Sequence, residues 1–86
     1  MVDFFQLLSP WRVPLVPQHR RVLGENIRNL RKHANFTQEK LAEKADLSVV
    51  FLSLLENGRR TASFDSLLAI AKGLKVSIED LVRGVK

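Results

Sequence analysis

The sequence predicts a compact, all-α domain that follows an extended N-terminal arm. From about residue 20 onward apolar residues recur at helical spacing, and no stretch after residue 18 alternates with the two-residue period of a β-strand. Residues that favour helix ends divide this part of the chain into five short segments. The chain has 86 residues, of which 45% are hydrophobic, and this suits one domain with a modest core.

The first 19 residues differ from the rest in composition. Pro10, Pro14 and Pro17 disfavour helix at the residues before them, so we expect an extended arm. The arm is apolar, and we expect it to pack on this protomer or on a partner; alternatively, translation starts further downstream and the segment is a passenger. It is a poor match to a secretory signal because no basic leader precedes its apolar stretch. Its large side chains include Phe4, Phe5 and Trp11.

The first helix is predicted to run from about residue 20 to residue 34. Leu23, Ile27 and Leu30 recur at i, i+4 and i+7, and therefore lie on one face. Asn35 is the expected end, because asparagine tolerates a left-handed cap. The basic residues of this segment mostly lie on the other faces: Arg20, Arg21, Arg28, Arg31 and Lys32.

The second and third helices are predicted at about 38–45 and 49–56. Thr37 and Ser48 each supply a side-chain oxygen suited to an N-cap, and a tight link at Asp46 separates the two helices. The pair Asn57-Gly58 is expected to end the third helix. The apolar residues predicted to face the core are Leu41, Ala42, Ala45, Phe51, Leu52 and Leu55.

Two further short helices complete the predicted domain. The fourth opens at Ser63 or Phe64 and is expected to end at Gly73. The fifth follows Ser77, covers about 78–83 and ends at Gly84. Their apolar residues are Phe64, Leu67, Leu68, Ile70, Ala71, Ile78, Leu81 and Val82.

Charge and composition narrow the classes of function. The net charge is +5, and the basic excess lies mostly in residues 20–32, which suggests a polyanionic partner, although a solvated helix face would look the same. The chain has no cysteine, and His19 and His33 are far apart, so we expect no metal site. No nucleophile–base pair or Gly-rich phosphate loop is present, and we expect neither enzymatic activity nor a cofactor. No apolar run is long enough to span a membrane, so a cytoplasmic location is expected.

The segment with the most functional information is residues 36–60, FTQEKLAEKADLSVVFLSLLENGRR. Two short helices joined by a turn of three to four residues can cross at a steep angle, with the second helix in the major groove of DNA. Ala42 and Ala45 supply small residues at the crossing, and Leu52 and Leu55 anchor the second helix. The two N-termini, at Thr37 and Ser48, are potential anion-binding positions.

The segment from about Leu23 to Val82 resembles the lambda-repressor-like, Cro/Xre helix-turn-helix family. The matching landmarks are LGENIRNLRKHANFTQEKLAEKADLS, then LSLLENGRR, then LLAIAKGLKVSIEDL, in the family's order. The resemblance implies a five-helix lambda-repressor-like domain over residues 20–86, with the helix-turn-helix at about 37–57. It also implies a transcriptional regulator, a repressor or controller, that binds double-stranded DNA as a homodimer.

The resemblance assigns roles to individual residues. Arg31 and Glu56 match a structural pair that ties the first helix to the end of the recognition helix. Gln38 matches a phosphate-contacting position, and Asn57 begins a loop that grips the phosphate backbone. The full set of DNA-binding candidates is Thr37, Gln38, Ser48, Val49, Val50, Ser53, Leu54, Asn57, Arg59 and Arg60. The dimer candidates are Ile78, Leu81, Val82 and Val85 in the last helix, with Phe4, Phe5 and Trp11 of the arm as rivals.

One part of the sequence departs from the family's habit. Val49, Val50 and Leu54 occupy outward positions of the recognition helix, where hydrogen-bonding side chains are usual. They could contact thymine methyl groups, and Ser53 could bond a base or a phosphate. Otherwise specificity would be low or would come from DNA shape. The alternative function is a protein-interaction module or an antitoxin-like protein, which would bind a protein partner through this apolar strip or through the N-terminal arm.

Overall fold

The computed structural model describes residues 16–86 and contains five α-helices in this range. They are α1 (Gln18–His33), α2 (Gln38–Ala45), α3 (Val49–Glu56), α4 (Phe64–Leu74) and α5 (Ile78–Val82). Residues 16–86 contain no strand, and the predicted all-α, five-helix architecture is confirmed. The predicted extended arm lies outside the described residues up to position 15.

The first helix begins at Gln18, slightly before the expected start at about residue 20. Pro17 occupies the N-cap position, and its carbonyl accepts hydrogen bonds from the amides of Arg20 (3.1 Å) and Arg21 (3.0 Å). A proline here interferes with no helical hydrogen bond, because its missing amide would have no partner in the helix. After α1 the chain turns at Asn35, whose φ of 62° is the left-handed conformation expected from the sequence.

Hydroxyl side chains begin the other four helices of the described region. Thr37 accepts a hydrogen bond from a backbone amide at 3.0 Å, Ser48 at 3.0 Å and Ser63 at 3.1 Å. At α5 the Ser77 hydroxyl accepts from the Asp80 amide, while the Asp80 carboxylate accepts from the Ser77 amide. These contacts satisfy backbone donors that the first turn of a helix leaves without a partner.

The predicted end of α4 at Gly73 is wrong. The helix continues to Leu74, and Lys75 adopts the left-handed conformation instead, with φ at 59°. Gly73 lies where α4 crosses α2: a Cβ atom there would be 3.3 Å from Leu41 Cδ1 and 3.3 Å from Lys44 Cβ. The glycine therefore allows two helices to approach closely, and it does not end a helix.

The core is formed by contacts among all five helices. α1 packs against α3 and α5, while α2 packs against α3 and α4. The predicted inward faces supply it, and the fully buried large side chains are Ile27, Leu41, Leu52, Leu55, Ile70 and Leu81. Phe64 lies outside this core, since its position in the first turn of α4 leaves it 63% exposed.

One side chain of the first helix supplies two hydrogen bonds to the end of the chain. Asn26 of α1 donates hydrogen bonds from Nδ2 to the carbonyl oxygens of Leu81 and Arg83, both at 2.8 Å. Leu81 itself is fully buried, so it packs inside the protomer and we withdraw it as a dimer-contact candidate. The other candidates of this region, Ile78, Val82 and Val85, are half-buried.

Candidate nucleic-acid interface

The turn between α2 and α3 sets the direction of α3. Asp46 ends α2 with a φ of 55°, and the amide of Leu47 donates to the Ala42 carbonyl at 2.9 Å. Ala42 and Ala45 are buried where the two helices approach each other, as the spacing of small residues predicted. Ser48 caps α3 immediately afterwards, and Ser48, Val49 and Val50 at this end of the helix are exposed.

The outward surface of α3 is apolar in its first turn. Val49 is 36% exposed and Val50 is 70% exposed, while Ser53 and Leu54 are half-buried one turn later. Phe51 is half-buried on the side of the loop that follows the helix, and the guanidinium of Arg60 lies 5.7 Å from the centre of its ring. All four outward candidates therefore retain surface exposure, with the two valines the most accessible of them.

The far end of α3 is held to α1 by a buried ion pair. Arg31 donates from Nε to Glu56 Oε2 at 2.6 Å and from Nη2 to Oε1 at 3.0 Å. The structure thus brings together the two residues that the resemblance paired, and their contact is bidentate. The Glu56 carboxylate is fully buried, and it also accepts from Gln38 Nε2 at 3.0 Å and lies 3.5 Å from Arg28 Nε.

These contacts control the ionisation of both partners. Burial alone would raise the pKa of Glu56, but the hydrogen bonds from Arg31 and Gln38 outweigh it and hold that pKa below its ordinary value. The pKa of Arg31 is raised, chiefly by its hydrogen bond to Glu56. Both groups are therefore charged near neutral pH, and α3 is fixed to α1 by a fully ionised pair.

Gln38 and Asn57 have internal partners as well as exposed surface. Gln38, the first residue of α2, donates its amide to Glu56 and so joins the start of α2 to the end of α3. Asn57 donates to the Ser53 carbonyl at 2.9 Å and accepts from Arg28 Nη2 at 2.8 Å. Arg28 is the participant that the sequence analysis missed. Its position one turn before Arg31, on the same side of α1, was the available signal.

A basic loop leaves α3 directly beside this network. Gly58 has a φ of 72°, and the amides of Gly58 and Arg59 return to the carbonyls of Leu55 (3.0 Å) and Leu54 (2.9 Å). Arg59 and Arg60 follow, and both are exposed. The loop therefore carries two cations at the end of α3, on a backbone fixed by hydrogen bonds to the helix itself.

Residues 16–86 contain neither a group of metal-ligating side chains nor a membrane-spanning helix. No three His, Asp or Glu side chains in that part of the chain converge on a position for a metal ion. Among the helices described above, none has both the length and the apolar character to cross a membrane.

The comparison with known proteins agrees with this arrangement. A family model described as "Helix-turn-helix" matches residues 27–81. The control protein C.BamHI of Bacillus amyloliquefaciens is 38% identical over 64 residues, which are 73% of this chain and 79% of that protein. The restriction-modification controller protein C.AhdI of Aeromonas hydrophila has a similar structure, with a TM-score of 0.71 and 27% identity over 72% of this chain and 94% of that one. The clp gene regulator ClgR of Corynebacterium glutamicum gives a TM-score of 0.73 and 33% identity over 78% of this chain and 71% of that one. The chain therefore belongs to the Cro/Xre-type helix-turn-helix family.

Proposed function

We propose that the protein is a sequence-specific DNA-binding transcriptional regulator that places α3 in the major groove. The observation that carries this proposal is the exposed first turn of α3. The buried Arg31–Glu56 pair fixes the other end of the helix to α1, and the exposed Arg59 and Arg60 follow that end. In helix-turn-helix proteins the N-terminal residues of the second helix contact base edges. The relatives named as control proteins and regulators support the same role.

Phosphate contacts would supply most of the affinity. The backbone of Arg59 is held by the hydrogen bond from its amide to the Leu54 carbonyl, and the Arg60 guanidinium lies over the Phe51 ring, so both cations stay close to α3. Arg28, 36% exposed, adds a third cation near the end of α3, because it bonds Asn57 and lies beside Glu56. The N-termini of α2 and α3 add favourable dipoles for anions.

We expect the protein to bind as a homodimer in the cytoplasm. A single domain with so few polar groups for base recognition would bind weakly, whereas two domains on half-sites about one helical turn (~34 Å) apart would bind cooperatively. Ile78, Val82 and Val85 remain the candidates for the dimer contact, since each keeps exposed surface near the C-terminus. The rival candidates in the arm lie outside the described residues.

A second candidate function is binding to a protein, as an antitoxin-like module would do. The exposure of Val49 and Val50 favours it, because exposed apolar surface commonly belongs to an interface. Salt distinguishes the two functions. Binding through phosphates weakens steeply as salt rises, whereas an apolar protein contact responds little.

The test is selection of binding sites from a random duplex library, followed by titration of the enriched duplex at several salt concentrations. We expect a palindromic site and a steep log–log slope. Arg59→Ala and Arg60→Ala should each weaken binding to every duplex and reduce the magnitude of the slope by about 1.8, which is about 0.9 for each protomer of the dimer. Lys72→Ala is the matched control: it removes one exposed cation from α4, which packs on α2 and α5, and should leave the slope unchanged. Absence of enrichment together with salt-insensitive binding to a protein would favour the second function.

A further inference from the structure

The polar side chains around the start of α3 are largely engaged within the protein. The hydroxyls of Thr37 and Ser48 accept hydrogen bonds from the Lys40 and Phe51 amides, and the Gln38 amide donates to Glu56. Each hydroxyl keeps a hydrogen that can be donated to a phosphate oxygen. Such a contact carries no sequence information, because phosphates occur at every step of the duplex.

Asn57, at the other end of α3, is engaged in the same way. Its Nδ2 donates to the Ser53 carbonyl, and its Oδ1 accepts from Arg28. The Ser53 hydroxyl caps no helix and is the remaining candidate for a polar contact with a base. The outward surface of the first turn of α3 consists of the side chains of Val49 and Val50.

The chemistry of the major groove determines what two valines can distinguish. Most groups on the base edges there are hydrogen-bond donors or acceptors, and the apolar one in ordinary DNA is the C5-methyl group of thymine. A valine pressed against the edge of guanine or cytosine would leave polar atoms without water or a partner, which is unfavourable. A valine against a C5-methyl group buries apolar surface on both sides.

We propose that Val49 and Val50 select pyrimidines that carry a C5-methyl group: thymine, and 5-methylcytosine where it replaces cytosine. The inference rests on the proposed function, since it requires α3 in the major groove. The occupant of the apolar surface is a duplex, because Arg28, Arg59 and Arg60 lie near the C-terminal end of the same eight-residue helix, where their charge is complementary to phosphates beside the groove. Discrimination then depends on apolar contact, with the polar side chains positioning the helix.

The test uses the enriched duplex with each thymine of one half-site replaced in turn by deoxyuridine, which removes one methyl group and keeps base pairing. At the contacted positions we expect about three- to fivefold weaker binding per methyl, the change expected for one methyl group returned to water. Cytosines of the half-site replaced by 5-methylcytosine should bind more tightly than cytosine at positions facing the valines. Deoxyuridine outside the half-site should have no effect.

Two protein variants assign the effect to the valines. Val49→Ala/Val50→Ala should bind thymine and deoxyuridine duplexes with a smaller difference than the wild type does, because each substitution removes two methyl groups from the apolar surface, and its melting temperature should be close to that of the wild type because both side chains are exposed. Arg59→Ala should weaken binding to both duplexes while preserving their ratio. Equal binding of both duplexes by the wild type would overturn the inference and leave DNA binding intact. A thymine preference of undiminished size in the double alanine variant would overturn it too, since DNA shape would then be the cause. Failure to bind any duplex would remove the proposed function along with it.

Discussion

Arg31→Met tests whether the buried ion pair holds α3 in place. The substitution keeps a long, flexible, apolar side chain but removes the two hydrogen bonds to Glu56, at 2.6 and 3.0 Å, and the one from Nη1 to the Phe36 carbonyl at 2.9 Å. Glu56 is then left fully buried, with Gln38 as its short-range donor and Arg28 at 3.5 Å.

The expected loss of stability follows from this geometry. Breaking one partner of a buried pair costs about 3–5 kcal/mol, because the other charge remains buried. The remaining donors of Glu56 place the expectation near the lower end, at about 3 kcal/mol. A domain of this size has a free energy of unfolding of roughly 4–13 kcal/mol, so the variant should lose a large fraction of its stability.

Urea unfolding followed by circular dichroism at 222 nm measures this loss, with the protomer concentration held constant because association would shift the midpoint. Arg21→Met is the matched control on the same helix. It breaks a pair to Glu25 at 3.3 Å in which both side chains are about half exposed, and should cost below about 1 kcal/mol.

A second variant separates the buried charge from the packing. Arg31→Met/Glu56→Met removes both charges and should recover part of the stability lost in the single variant, since no unpaired ion remains. If the unfolding free energy of Arg31→Met lies within about 1 kcal/mol of the wild-type value, the ion pair does not stabilise this fold and the reasoning is refuted.

Three other predictions concern the same framework. Because the pKa of Glu56 is lower in the folded state, its ionised form contributes stability above the ordinary value of 4.5, and this contribution is lost as pH falls through the lower folded value. Glu56→Gln should flatten the dependence of the unfolding free energy on pH in that range, and an unchanged slope would contradict the assignment. Gly24→Ala should destabilise by about 1–3 kcal/mol, since its Cβ would lie 2.4 Å from the Leu55 carbonyl oxygen. Gly73→Ala, whose Cβ would lie 3.3 Å from both Leu41 Cδ1 and Lys44 Cβ, should change the stability by less than about 1 kcal/mol, and equal melting temperatures of the two variants would argue against the backbone contact at Gly24. Leu55→Ala should cost about 2–5 kcal/mol in urea unfolding because the side chain is 1% exposed, and an unchanged midpoint would mean that the phase of α3 is misassigned.

Features decided by neighbouring residues were predictable from the sequence. The caps at Thr37, Ser48 and Ser77 follow from a hydroxyl placed just before a helical apolar pattern, and each was found. Asn35 and Gly58 adopt positive φ as expected, because asparagine and glycine tolerate that conformation at helix ends. Local chemistry is sufficient at these positions, so the bounds of α2 and α3 were predicted well.

Features decided by distant residues were not predictable from local patterns. Gly73 was expected to end a helix, yet its role comes from the approach of α2, which one-dimensional spacing does not reveal. The contact of Gln38 with phosphate stays a prediction, but its hydrogen bond to Glu56, eighteen positions later, was not foreseen. Whether a side chain at a helix N-terminus turns outward or inward depends on what the fold brings beneath it.

The order of α5, the shortest helix of the described region, depends on hydrogen bonds from the Asn26 amide, which lies far away in sequence. A five-residue helix does not persist alone in water, and the bonds from Asn26 to α5 span 55 and 57 positions of sequence. Closing so long a loop must follow the formation of α1, so α5 should be the last helix to order as the chain folds. In the native state its amides should exchange with solvent through local opening of α5, which breaks the Asn26 hydrogen bonds and exposes Leu81, without global unfolding. If Ile78, Val82 and Val85 meet a second protomer, assembly would slow that exchange, and protection of α5 would report on dimerisation.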